Sequence, residues 1–168
     1  MNRSFLGKVF APRKLTPQLA NLAKISLFNQ LSATELGIVD GLLHHRDYLA
    51  DEVVFDEGEE GQAIYLIESG QIVLMHPGQG KGESERIATL GPGSFFGDMA
   101  LIDNVHRTAQ ARAAQGSRLA VFFREDFLGL MDTHARIASK IALQIAREMG
   151  RRLRQQQSAE SHTWHQHQ

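Results

Sequence analysis

The run Gly91-Pro-Gly-Ser-Phe-Phe-Gly-Asp-Met-Ala-Leu-Ile-Asp-Asn-Val-His-Arg-Thr-Ala-Gln-Ala111 carries the densest chemical information in this 168-residue chain. Gly91 and Gly93 flank Pro92 in a turn that delivers a short strand over 94–96. Gly97 ends that strand, and Asp98-Met99-Ala100-Leu101 is helix-compatible with an acid at its N-terminal position. A helix start after glycine gathers unpaired backbone N–H groups on one spot, with the positive end of the helix dipole behind them. Such a spot binds anions. Arg107, just before the next strand, reaches the same spot and offers a planar fork of donors suited to a phosphate. A glycine before a short helix is also a common structural device, and an arginine at a strand start is usually solvated. On these residues alone both readings stand.

Outward from this run, residues 46–123 consist of short stretches rich in Val, Ile, Tyr and Phe, broken by glycine or by acidic clusters. That texture predicts about eight antiparallel strands. They are expected over 46–49, 53–55, 63–68, 71–75, 85–90, 94–96, 108–113 and 119–123. Glu68-Ser69-Gly70 reads as a tight hairpin in which Gly70 takes a positive φ, and the polar segment 76–84 reads as a longer loop. Helices are expected on either side. Residues 16–24 and 32–43 each open on a hydroxyl residue, and Ser-Ala-Thr-Glu from Ser32 to Glu35 is a capping box. The connection 25–31 places Ile25, Leu27, Phe28 and Leu31 to dock on the elements downstream. A short helix over 125–131 leads into a long one over 134–157, whose Ile137, Ile141, Ile145, Met149 and Leu153 recur every four residues beside Ala138, Ala142 and Ala146. This apolar stripe packs either on its own body or against a second copy, coiled-coil fashion. The fold class is therefore mainly β with flanking helices: an antiparallel β-barrel or jelly roll, two short N-terminal helices and a long C-terminal helix. Its parts are an extension over 1–24, the β-barrel over 25–133, the helix over 134–157 and a disordered tail over 158–168.

With this organisation in hand, the segment resembles the phosphate-binding cassette of the cyclic-nucleotide-binding domains of catabolite activator proteins, cyclic-nucleotide-dependent kinases and cyclic-nucleotide-gated channels. Their pattern is phenylalanine-glycine-glutamate-x-alanine-leucine, then proline-arginine-x-alanine. Phe96, Gly97, Ala100, Leu101, Arg107 and Ala109 match it in register, and Gly58, Gly61, Tyr65, Ile67 and Gly70 are similar to the family's first glycine motif. The resemblance spans about 27–154. It implies that backbone amides near Gly97 and Ala100, with the guanidinium of Arg107, hold the cyclic phosphate of cAMP or cGMP. Asp98 then takes the ribose 2′-hydroxyl, and Thr108 approaches the phosphate or base, where a threonine in the family goes with preference for cGMP. Met99 and Ala109 complete the set of binding residues, although Phe96 and Met99 suit the core better than the ligand. Arg151, Arg152 and Gln155 lie where the base would be capped. Two departures matter. Asp98 replaces the usual glutamate and reaches about 1.5 Å less, and losing one charged-acceptor hydrogen bond costs on the order of 1.5 to 3 kcal/mol. His106 replaces the proline that would stiffen the turn before Arg107.

Composition narrows the alternatives. A net charge of -1 provides no global field toward nucleic acid or membrane, and the absence of cysteine fits a reducing compartment, so cytoplasm is the default. No run of about 20 apolar residues predicts a membrane span, and the first 14 residues do not form a signal peptide. No Walker loop, G-x-S-x-G or H-E-x-x-H is present, and the eight histidines show no cupin-like metal pattern, so neither enzyme nor metal protein is expected. His162, His165 and His167 read as part of a solvated tail, and Arg147, Arg151, Arg152 and Arg154 as a basic helix end. The eleven residues after Gln157 are too few for a helix-turn-helix, so no DNA-binding domain is expected. The reading is a cyclic-nucleotide sensor that moves its C-terminal helix through a hinge near 125–131, signalling to a second subunit in a homodimer or to a protein partner. Its competitors are a degenerate barrel that binds no nucleotide and serves as a protein-interaction scaffold, and a cupin-like enzyme.

Overall fold

A computed structural model describes residues 16–76 and 84–164. Residues 1–15 of the expected extension, residues 77–83 of the loop and residues 165–168 of the tail lie outside the described residues. In chain order the elements are helices α1 (Pro17–Leu22) and α2 (Ala33–Asp40), strands β1 (His44–Tyr48), β2 (Val53–Phe55), β3 (Ala63–Ser69), β4 (Ile72–His76), β5 (Glu85–Leu90) and β6 (Phe95–Phe96), helix α3 (Met99–Ile102), strands β7 (Gln110–Ala113) and β8 (Ser117–Phe123), and helices α4 (Arg124–Thr133) and α5 (Ala135–Trp164). The strands form two antiparallel four-stranded sheets, ordered β1-β8-β3-β6 and β2-β7-β4-β5. This is the double-sheet jelly roll, with two facing sheets and no closed barrel.

The hairpin expected at Gly70 is not a hairpin. β3 pairs with β6 and β8, while β4 pairs with β5 and β7, so Gly70 carries the chain from one sheet to the other. Its φ of +88° matches expectation, and a Cβ there would run into Ser117. Ser117 Oγ in turn accepts from Gln71 N at 3.0 Å and fixes the crossing point. A local pattern of apolar strand, glycine, apolar strand does not distinguish a turn within a sheet from a step between sheets.

The core has two layers. Between the sheets lie Tyr48, Phe55, Ile67, Ile72, Phe96, Ala111, Ala113 and Leu119. On the outer face of the first sheet, Ile64, Leu66, Ala120 and Phe122 pack against Leu22, Phe28, Leu36, Phe127, Ile137 and Ile141 from the helices. The period of two in a strand explains why β3 and β8 read as continuous apolar runs: alternate residues serve the two layers.

The capping box forms as read. Glu35 Oε2 accepts from Ser32 N at 2.7 Å and Ser32 Oγ from Glu35 N at 3.3 Å. Lys140 of α5 adds a contact to Glu35 Oε2 at 2.7 Å, tying the start of α2 to the long helix. α5 divides along its length. Ile137, Ala138, Ile141 and Ile145 are buried, whereas Leu143, Met149 and Leu153 are exposed, so the stripe read as one apolar face leaves the core after Ile145. The helix continues to Trp164, past the expected end at 157. Among the described residues no helix is long and apolar enough to cross a membrane.

Candidate functional site

Arg107 is held from three sides. Its Nη2 donates to Ala63 O at 2.9 Å and its Nη1 to Gly97 O at 3.3 Å. Its Cζ lies 4.2 Å from the centre of the Phe55 ring and 5.5 Å from that of Tyr65, which itself stacks on Phe96. The backbone around it is fixed by the loop after β2: Arg107 N donates to Glu59 O at 2.7 Å, Gly58 N to Arg107 O at 2.8 Å and Gly61 N to Val105 O at 3.1 Å. The two sequence motifs, some forty residues apart along the chain, are thus hydrogen-bonded to one another. This pairing, with the bridge between Glu60 and His106, holds the turn before Arg107 where the resemblance expected a proline.

Arg107 is 8% exposed, its Nε has no hydrogen-bond partner, and no carboxylate among the described residues forms an ion pair with it. Burial draws its pKa down from the ordinary arginine range, with Tyr65 and Glu59 opposing the shift. A fixed, partly unsatisfied cation of this kind favours an anion over any neutral ligand.

Gly97 has φ +73°, and a Cβ there would stand 2.5 Å from Arg107 Nη1. Only glycine combines that backbone with that approach. α3 contributes less than the sequence suggests. It is four residues long, and its Ala100 N–H is already engaged by Gly97 O at 3.2 Å. Asp98 does not cap it either. The carboxylate turns away and meets Arg152 Nη1 of α5 at 3.0 and 3.2 Å from its two oxygens, with only 5% of the Asp98 side chain exposed.

A cavity of about 720 Å³ opens above these groups. Gly97, Asp98, Met99, Ala100, Arg107, Thr108 and Ala109 all line it, so every residue nominated from the sequence is brought to one place. Met99, expected to suit the core, is 45% exposed and faces the cavity, whereas Phe96 is buried as expected. Leu74, Ile87 and Leu90 make an apolar wall, and Arg151, Arg152 and Gln155 of α5 close the far side. Glu148, which no motif pointed to, joins that side and pairs with Arg151 at 2.7 Å and with Arg152 at 3.5 Å. The basic helix end is thus partly neutralised. Phe55 also escaped the sequence reading, since nothing in its local pattern announces a cation more than fifty residues later. Among the described residues no three His, Cys, Asp or Glu side chains gather as a metal site.

Comparison with known proteins places these observations. Residues 45–134 match the family model described as the cyclic nucleotide-binding domain. The chain is similar to the cyclic AMP receptor protein of Thermus thermophilus, 35% identical over 123 residues that cover 73% of this chain and 56% of that protein. It therefore spans just over half the length of that relative. Among solved structures, the Thermus thermophilus catabolite activator protein superposes with a TM-score of 0.72 at 34% identity, covering 81% of this chain and 62% of that one. A cyclic nucleotide-binding domain from Methylobacillus flagellatus does so with a TM-score of 0.72 at 25% identity, covering 82% and 76%.

Proposed function

The chain belongs to the cyclic nucleotide-binding domain family, and from that premise we propose that it is a cytoplasmic regulatory module that binds cAMP or cGMP in the cavity beside Arg107. The observation that carries this reading is the guanidinium itself: buried, fixed in place, with Nε unpaired and no carboxylate partner among the described residues. The charge of the cavity supports it. Its lining holds Arg107, Arg151 and Arg152 against Asp98 and Glu148, which leaves one positive charge for a ligand such as a cyclic phosphodiester that carries one negative charge. The apolar wall of Leu74, Ile87 and Leu90 suits a purine, with Thr108 and Gln155 available to its polar edge. Gly97, Asp98, Met99, Ala100, Arg107, Thr108 and Ala109 form the binding set.

Occupancy is signalled by α5, which reaches the cavity through Arg151, Arg152 and Gln155 and hinges on α4. Its outer face passes the signal to a second copy or to a protein partner. Nothing in the cavity assigns it a catalytic role. One observation favours the scaffold reading instead: the carboxylate expected to serve the ribose is shortened and already engaged by Arg152.

Isothermal titration of the protein with cAMP and with cGMP decides between them. Saturable binding of either, abolished by Arg107→Ala, is the expected result. No detectable binding of either nucleotide to the wild-type protein overturns the proposal.

A further inference from the structure

The ion pair between Asp98 and Arg152 joins the floor of the cavity to the helix that closes it, and both residues line the space a ligand would enter. Arg152 is 44% exposed on its side chain, while Asp98 is almost wholly buried, so the pair is built from the helix side inward. One nitrogen, Nη1, bridges both carboxylate oxygens, and Nε of the same guanidinium contacts Glu148 at 3.5 Å, four residues back on α5. The guanidinium also stands 5.9 Å from the centre of the Phe95 ring on β6. Arg152 is therefore held by three groups and aimed at one acceptor. A ribose hydroxyl that donates to Asp98 must come within about 2.8 Å of the same oxygens.

We propose that Arg152 is a latch that competes with the ligand's ribose 2′-hydroxyl for Asp98. The burial of Asp98 makes the competition sharp, because Arg152 Nη1 already sits on both carboxylate oxygens and only 5% of the side chain is left exposed. A ribonucleotide that takes Asp98 displaces Arg152, and the displaced arginine lets the part of α5 beyond Ile145, whose residues 151–155 are exposed, change its position over the cavity. Ligand affinity and helix position are then coupled through a single ion pair, with the reciprocity that any such linkage imposes. This proposal rests on cyclic-nucleotide binding at Arg107 and adds to it a residue that sets both affinity and sugar preference.

The test is titration of the full chain and its Arg152→Gln and Arg152→Lys variants with cAMP, cGMP and their 2′-deoxy counterparts, with thermal melting as the check that each variant folds. Arg152→Gln is expected to bind the ribonucleotide about fivefold more tightly than the wild-type protein. It gains nothing on the 2′-deoxy nucleotide, which makes no claim on Asp98, and Arg152→Lys returns the affinity toward the wild-type value. A gain shared equally by the 2′-deoxy ligand means that Arg152 merely obstructs the cavity and overturns the latch. Unchanged or weaker binding by Arg152→Gln overturns it too, while leaving nucleotide binding intact. If neither the wild-type protein nor Arg152→Gln binds any of the four nucleotides, the functional reading fails and the latch fails with it.

Discussion

Gly97 concentrates the chemistry of the site in one residue. Its positive φ turns the chain from β6 into α3, its carbonyl accepts from Arg107 Nη1, and the missing side chain leaves the space that the guanidinium fills. Gly97→Ala places a methyl group where Arg107 Nη1 now lies, in a backbone conformation that L-residues adopt at a cost of roughly 1 to 2 kcal/mol. The expected outcome is a fall in melting temperature of a few degrees together with at least a tenfold loss of nucleotide affinity, read by calorimetry and titration on the same samples. Retained affinity would mean that the ligand does not depend on where Arg107 sits. At this scale the residues of the cassette were legible, because glycine, arginine and the small alanines are dictated by local geometry. The partners of Arg107 and Asp98 were not. Phe55 and Tyr65 meet Arg107 from strands far along the chain, and Arg152, which the resemblance set against the base, meets Asp98 instead; no local pattern encodes such pairings. Asp98 shows the limit most plainly, since the resemblance gave its carboxylate to the ribose, and its capture by Arg152 depends only on where α5 lies.

Among the elements, α2 and α5 show how the helices are fixed to the sheets and to each other. Glu35 closes the capping box on Ser32 and receives Lys140 from α5, so one carboxylate serves both a local and a long-range contact. Burial works against its charged form, but the hydrogen bonds from Lys140 and Ser32 outweigh that penalty and hold its pKa below the ordinary value of 4.5. A carboxylate with a lowered folded pKa contributes stability that is present in full above its unfolded value and is lost as the pH falls through the folded one. Glu35→Gln should therefore lower stability at neutral pH by on the order of 1 kcal/mol. Below pH 4.5 its urea midpoint should converge on that of the wild-type protein, since protonation removes the same charge. Parallel curves across the whole range would place the stabilisation elsewhere. The capping box itself was read directly, being confined to four consecutive residues, and the strand positions came from runs of β-branched and aromatic residues. Sheet membership did not. Gly70 separates two apolar strands as a hairpin glycine would, and only the long-range pairing of β3 with β8 and of β4 with β7 assigns them to opposite sheets.

For the whole molecule the question is what receives the movement of α5. Its first half is committed to the core through Ile137, Ile141 and Ile145, but Leu143, Met149 and Leu153 are exposed on the same helix. Leu143, Ala146, Gly150 and Leu153 succeed one another at spacings of three, four and three, the seam spacing of a coiled coil. The small residues within that seam would let two helices approach closely, and a second copy of α5 offers a matching row. In such an arrangement the helix that carries Arg151, Arg152 and Gln155 over one cavity also contacts its counterpart, so that a shift caused by ligand in one subunit is felt by the other. The expected outcome is a dimer of the wild-type chain in sedimentation equilibrium, dissociated by Leu143→Glu together with Leu153→Glu. Both side chains are exposed, so the double variant should keep its fold and the melting temperature of the isolated subunit. A wild-type chain that sediments as a monomer at every concentration would remove the second copy as receiver and leave a different protein to occupy the outer face of α5.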